Sequence, residues 1–333
     1  MTLKEAIELH RAGQLDAAEQ AYRMLVESPP DEADALHLLG VLRQQRGATD
    51  EALDLMRRAI ARAPEQAQYH LSLGGSLLHA GDADAARACF ERAVALDPNR
   101  IESYALLGHL ALSDGDAAAA EQHFRVGQRV DQEDPLVLLG LGSTYLSLGD
   151  SGNAVKFLTR AAEQRPRDGS IQATLGRALF DQGAYGIAEQ AFRNALAVQS
   201  NLSSARLYLG RALLRQQRAA EAQEQFAALA EADQESFGAF LGLGDVANQQ
   251  GHPAKAVRWY KRALSIDPGH GAASAACASC LERLGDLAGA AQCLTTALQR
   301  LPDAAELHAA LAAVLERMGR GTRAAVAQTP GQP

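Results

Sequence analysis

The chain has 333 residues, 47% hydrophobic and 22% charged, which is too apolar for a disordered polymer and ordinary for a folded one. A formal charge of −8 argues against general binding to nucleic acid, and no stretch approaches the length and apolarity of a membrane span. Length alone suggests two or three globular domains, but internal periodicity overrules that prior. Alanines recur every 34 residues at Ala18, Ala52, Ala86, Ala120, Ala154, Ala188, Ala222, Ala256, Ala290 and Ala324, and glycines keep the same beat from Gly40 through Gly108 to Gly244. One unit is therefore copied about ten times in register, each copy burying its apolar face against its neighbours.

The first elements follow at once from the N-terminus. Thr2 and Glu5 have the spacing of a capping box, and no apolar leader precedes them. The repeats are expected near 1–32, 33–66, 67–100, 101–134, 135–168, 169–202, 203–236, 237–270 and 271–304, with a partial capping unit at 305–326 and a flexible tail at 327–333. Within each, a first helix carries a Leu-Gly pair such as Leu107-Gly108, and a second helix carries the alanine and a large knob. The knobs are Tyr22, Met56, Phe90, Phe124, Leu158, Phe192, Phe226, Tyr260 and Leu294. Between the helices a glycine recurs at Gly13, Gly47, Gly81, Gly115, Gly149, Gly183, Gly251, Gly285 and Gly319, suited to the left-handed conformation that ends a helix. Asp82, Asp116, Asp150 and Asp286 stand next to it as N-caps. Prolines at Pro30, Pro64, Pro98, Pro166, Pro268 and Pro302 close the units. Gln217 stands where a turn glycine belongs, Gln234 where a proline belongs, and Cys277-Ala278 replaces Leu-Gly.

This pattern resembles the tetratricopeptide repeat, a 34-residue helix pair with Leu-Gly, Ala, an aromatic and a closing Pro. The resemblance covers residues 1–326 and implies an all-α fold, a right-handed α-α superhelix with first helices on the concave face and second helices on the convex one. It also implies a non-catalytic scaffold that holds a partner protein or peptide in the concave groove. Two specialised groove chemistries of the family are not matched. The Lys and Asn clamp of chaperone-tail-binding members would need more than Leu3, Lys4 and Ile7, and the asparagine ladder of the O-linked N-acetylglucosamine transferase arm is replaced by Leu38, Ser72, Leu106, Gly140, Thr174, Tyr208 and Gly242.

The irregular inward slots carry the functional expectation. Leu71, Leu78, Leu106, Leu112, Leu139 and Leu146, with His109 among them, form an expected apolar trough. Arg177, Arg211 and Arg215, joined by Phe180 and Tyr208, form an expected site for a carboxylate or phosphate, with Asp181 and Asp245 near enough to neutralise it. His37 and His79 are also expected on the concave side, as are the extra glycines Gly140 and Gly242. The competing reading is a binding arm of a larger or separate-chain enzyme, because the segment Ala35–Leu42 looks like the start of bacterial arrays that precede a sulfotransferase, glycosyltransferase or hydroxylase domain. Self-association through the end faces is a further possibility.

No catalytic constellation is expected. Gly140-x-Gly142 and Gly242-x-Gly244 lack the strand-to-helix setting of a phosphate loop. Cys277, Cys280, Cys293 and Cys89 read as small hydrophobes, with neither metal nor cofactor implied. Four cysteines in a long chain fit a reducing compartment, and a cytoplasmic, bacterial-type location is the simplest expectation.

Overall fold

The computed structural model describes residues 1–27 and 32–328, the side chains of 320–328 excepted. Pro30, the Ala324 side chain and the tail from residue 329 lie outside the described residues. Every regular element among the described residues is helical. Two compact units are present, Met1–Arg165 and Pro166–Pro333.

In the first unit the helices are α1 (Leu3–Arg11), α2 (Leu15–Val26), α3 (Glu32–Gln45), α4 (Thr49–Arg62), α5 (Ala67–His79), α6 (Ala83–Leu96), α7 (Ile101–Ser113), α8 (Ala117–Val130), α9 (Pro135–Ser147) and α10 (Ser151–Gln164). The second holds α11 (Gly169–Asp181), α12 (Tyr185–Val198), α13 (Ser203–Arg215), α14 (Ala219–Ala232), α15 (Phe237–Gln249), α16 (Pro253–Ile266), α17 (Gly271–Arg283), α18 (Leu287–Leu298) and α19 (Ala305–Gln328). Within each unit, each helix packs against the next in sequence. First helices of neighbouring repeats also touch, α7 with α9 in one unit and α11 with α13 and α13 with α15 in the other. Within each unit the first helices therefore converge, and their free face is the inner one.

Close approach explains the 34-residue beat. The nine alanines from Ala18 to Ala290 are fully buried, and so are the knobs from Tyr22 to Leu294. A Cβ on Gly74 would stand 2.4 Å from the Phe90 ring, and one on Gly176 would stand 2.6 Å from Phe192. The glycine is thus the seat of the knob within its own repeat, and a side chain there would push the two helices apart.

The turns are built as their residues require. Gly13, Gly47, Gly81, Gly115, Gly149, Gly183, Gly251 and Gly285 all have positive φ. Asp82, Asp116, Asp150 and Asp286 accept the N3 backbone N–H of the following helix, and Thr2 with Glu5 closes a capping box. In the repeat without a turn glycine, Gln217 itself takes φ +64°. Gln216 and Arg218 on either side of it bind Glu189 of α12 at 2.9 Å and 2.6 Å, and Arg218 also binds Glu221 at 2.6 Å. This network holds the neighbours of a residue that lacks glycine's freedom.

The terminal repeat departs from expectation. Gly319 does not break the chain, and α19 runs through it. A second helix folds back only if its knob can be buried, and the slot that holds a knob elsewhere is Gln328 in this repeat.

Candidate functional site: an arginine and tyrosine pocket on the second unit

Three arginines meet two tyrosines on the inner face of the second unit. Tyr208, Arg211 and Arg215 lie at i, i+3 and i+7 on α13, so helical geometry places them along one stripe. Arg177 occupies the slot of Arg211 one repeat earlier, on α11. The guanidinium carbons of Arg211 and Arg177 lie 5.3 Å and 5.9 Å from the Tyr208 ring centre, and that of Arg215 lies 5.5 Å from the Tyr185 ring centre. Tyr208 is itself stacked on the buried knob Phe192 at 5.9 Å, and Phe180 sets its edge against both tyrosines at 5.3 Å and 5.7 Å. The aromatic layer thereby anchors the arginine planes to the core. Stacking occupies guanidinium faces and leaves the N–H edges open to an acceptor.

Charge in this layer is only partly compensated. Asp181 comes to 4.0 Å from Arg177. Among the described residues, no carboxylate lies within 4.0 Å of Arg211 or Arg215. Asp245, on α15, accepts the Tyr260 hydroxyl at 2.8 Å. Burial of this carboxyl raises it above the usual carboxylate range, against the opposing influence of the Tyr260 hydrogen bond and Arg211. A cavity of about 610 Å³ opens beside Arg211 and Arg215, lined also by Phe180, Leu241, Asp245 and Gln249, while Arg177 and the tyrosines back the arginine layer outside its lining. Sequence reasoning missed Tyr185, which belongs to a second helix, and Leu241 and Gln249, whose slots carry no distinguishing residue type.

The other expected residues belong to the first unit. Leu71 and Leu78 on α5, Leu106 and Leu112 on α7, and Leu139 and Leu146 on α9 are all half-buried. Leu71, Leu78 and Leu106 spend part of their surface on the cluster around Leu73, Leu77 and Phe90. His109 is exposed and packs edge-on against Phe124 with ring centres 5.2 Å apart.

Two expectations for the inner face are overturned. Gly140 and Gly242 do not line a groove; both are buried under a knob of the preceding repeat. A Cβ at either would fall 2.1 Å from the Phe124 ring or 2.5 Å from the Phe226 ring. His37 is buried too, stacked on Tyr69 at 4.7 Å with Nε2 at 2.8 Å from Ser72 Oγ. This contact brings together in space a Ser, a His and a nearby Asp34, all distant from catalytic geometry. Asp34 is taken by the Tyr69 hydroxyl at 2.5 Å, and Gln68 also donates to Ser72 at 3.3 Å. Ser72 sits within α5, where backbone N–H groups are committed to the helix and cannot form an oxyanion hole. The cluster is a polar tie between repeats.

Among the described residues no three His, Cys, Asp or Glu side chains gather as a metal-binding group. No helix among them is long and apolar enough to cross a membrane.

Stacked helix pairs with a 34-residue beat and glycine-seated knobs define an α-solenoid repeat protein. The chain belongs to the tetratricopeptide-repeat family. The model described as the C-terminal domain of cilia and flagella-associated protein 70, a tetratricopeptide-repeat domain, matches residues 3–202, and two described as tetratricopeptide repeat match 209–271 and 247–325. No curated protein matches the sequence. Among solved structures, Cut9–Hcn1 of the APC/C superposes with a TM-score of 0.66 at 19% identity, over 80% of this chain and 52% of that one. A tetratricopeptide repeat protein from Parabacteroides merdae gives 0.57 at 16%, over 74% and 97%. PilF of Pseudomonas aeruginosa gives 0.54 at 18%, over 61% and 92%. The chain spans about half the length of the first of these. At such identities the likeness establishes the fold alone.

Proposed function

We propose that the protein is a non-catalytic interaction module, and that the arginine and tyrosine pocket of its second unit takes an acidic group of a partner protein or peptide. Proteins of this family generally mediate protein–protein contacts. The finer reading rests on one observation: Arg211 and Arg215 flank a cavity of about 610 Å³ while, among the described residues, no carboxylate lies within 4.0 Å of either. An Arg edge offers two parallel N–H donors, which matches the two oxygens of a carboxylate. The half-buried leucines of α5, α7 and α9 in the first unit are proposed to take apolar side chains of a partner.

Fluorescein-labelled peptides of alternating Leu and Glu, and the same peptides with Gln for Glu, test the reading by fluorescence anisotropy. Binding of the Glu series that weakens at least tenfold in Arg211→Glu/Arg215→Glu, about 1.4 kcal/mol, supports it. Equal binding of the Glu and Gln series, or no effect of the double reversal, removes the pocket from the mechanism. Because the contact is ionic and half-exposed, affinity should also fall as salt rises.

A further inference from the structure

Of the four cysteines, three share one repeat, Cys277, Cys280 and Cys293. Cys277 occupies the Leu slot of α17 and is fully buried, and Cys293 faces it from α18. The Cys293 thiol donates to the Ser274 carbonyl oxygen at 3.7 Å, one turn from Cys277 on the same helix. Unlike Cys277, it has a route to solvent. A surface cavity of about 370 Å³ is lined by Cys293 with Lys261, Ser265, Ser274, Gln292 and Thr296. Cys89 provides an internal comparison, since it holds the Cys293 slot six repeats earlier but faces Leu73 in the slot of Cys277.

We propose that Cys293 is a hydroperoxide-reactive thiol and that Cys277 is its resolving partner, the pair closing a disulfide between α17 and α18. Several features of the site support this assignment. The Cys277 thiol donates toward the Cys293 sulfur and holds Cys293 below the usual thiol range, with help from the Lys261 ammonium and against the cost of burial. The same hydrogen bond, together with burial, keeps Cys277 protonated. Cys89 lacks such a donor, and burial raises it. A solvent-reachable thiol that ionises more readily than usual, beside a second thiol, is the arrangement that oxidation favours. Cys280 is engaged elsewhere, its Sγ 3.5 Å from Asn248 Oδ1.

The chemistry closes without a further reactant. The Cys293 thiolate attacks one oxygen of the hydroperoxide; an S–O bond forms, the O–O bond breaks, and the leaving oxygen takes a proton as alcohol or water. The Cys277 sulfur then attacks the Cys293 sulfenic acid. An S–S bond forms, the S–O bond breaks, and the hydroxide leaves as water with the Cys277 proton. Two thiols are oxidised by two electrons, and one hydroperoxide is reduced.

Intact-mass measurement and peptide mapping of the folded full chain, treated with hydrogen peroxide and then alkylated, test the proposal. The expected result is a loss of about 2 Da with peptides containing Cys277 and Cys293 joined, while Cys89 is alkylated. Cys293 should react roughly tenfold faster than Cys89. In Cys277→Ala, with its helical circular dichroism checked, dimedone should trap a sulfenic acid at Cys293. Equal reactivity of Cys293 and Cys89 in the unsubstituted chain, a bond joining Cys277 to Cys280, or no joined peptide overturns the proposal. The comparison of Cys293 with Cys89 needs no variant, so it decides the matter even if Cys277→Ala does not fold.

Discussion

The Phe124 ring fills the space that a side chain on Gly140 would need, 2.1 Å from where its Cβ would be. The same ring sits 2.6 Å from the corresponding point on Gly108, so one knob is seated by glycines from two successive repeats. Phe226 is held likewise by Gly210 and Gly242. Gly140→Ala should therefore lower stability by about 1–3 kcal/mol, because displacing a fully buried ring outweighs the gain in helix propensity. Gly75 is the contrasting case, an exposed helical glycine with nothing within 4 Å of its added Cβ. Gly75→Ala should raise stability by about 0.5–1 kcal/mol. Urea midpoints of the two variants check the pair; a stabilised Gly140→Ala would sink the two-glycine seat.

Gln217 offers a second stability test. It holds φ +64° at the one turn where the glycine is missing. Gln217→Gly should raise stability by about 0.5–1 kcal/mol, read as a higher thermal midpoint, since only an exposed contact with the Gln249 amide is lost in exchange. Gln217→Val should lower it, because a β-branched residue tolerates positive φ poorly.

Asp245 should act as a brake on the arginine pocket. Burial raises its carboxyl, so its charged form costs folding energy and stability rises as pH falls through that raised value toward the ordinary 3.8. Asp245→Asn keeps an acceptor for the Tyr260 hydroxyl and removes the negative charge near Arg211. Acidic-peptide affinity, measured by anisotropy, should increase about 3–10-fold, and stability near neutral pH should not fall. A loss of affinity would show that Asp245 contacts the ligand favourably.

His37 sets a pH dependence of the opposite sign. Burial lowers its imidazole below 6.5, with Asp34 partly opposing. The unfolded chain therefore binds the proton first as pH falls below 6.5. His37 contributes stability that is complete above that value and is lost as pH drops toward the lowered folded value, at up to about 1.4 kcal/mol per pH unit. His37→Gln, which can still bond Ser72, should flatten this part of the profile. Urea midpoints followed from above pH 6.5 down into the acid range check it.

Much of the fold is legible in the sequence because packing repeats and its residues must repeat with it. The alanines from Ala18 to Ala290, the Gly40 to Gly244 seats and the turn glycines from Gly13 to Gly285 each answer a steric demand that recurs in successive helix pairs. The arginine stripe was legible by the same logic, since Arg177 and Arg211 share a slot and Arg215 lies one turn on.

Side-chain reach was decided only by tertiary structure. Slot counting places Gly140 and His37 on the inner face, yet the Phe124 ring extends into the next repeat and covers one, and Tyr69 stacks over the other. Tyr185 was missed for the converse reason, as a second-helix residue whose ring reaches the arginine layer. The sequence by itself determined the repeat, its helices and its turns, because those depend on backbone geometry and side-chain size at fixed intervals. The pocket, the knob shared between Gly108 and Gly140 and the Cys277–Cys293 pair depend on contacts between helices, where rotamer and ring size select the neighbour.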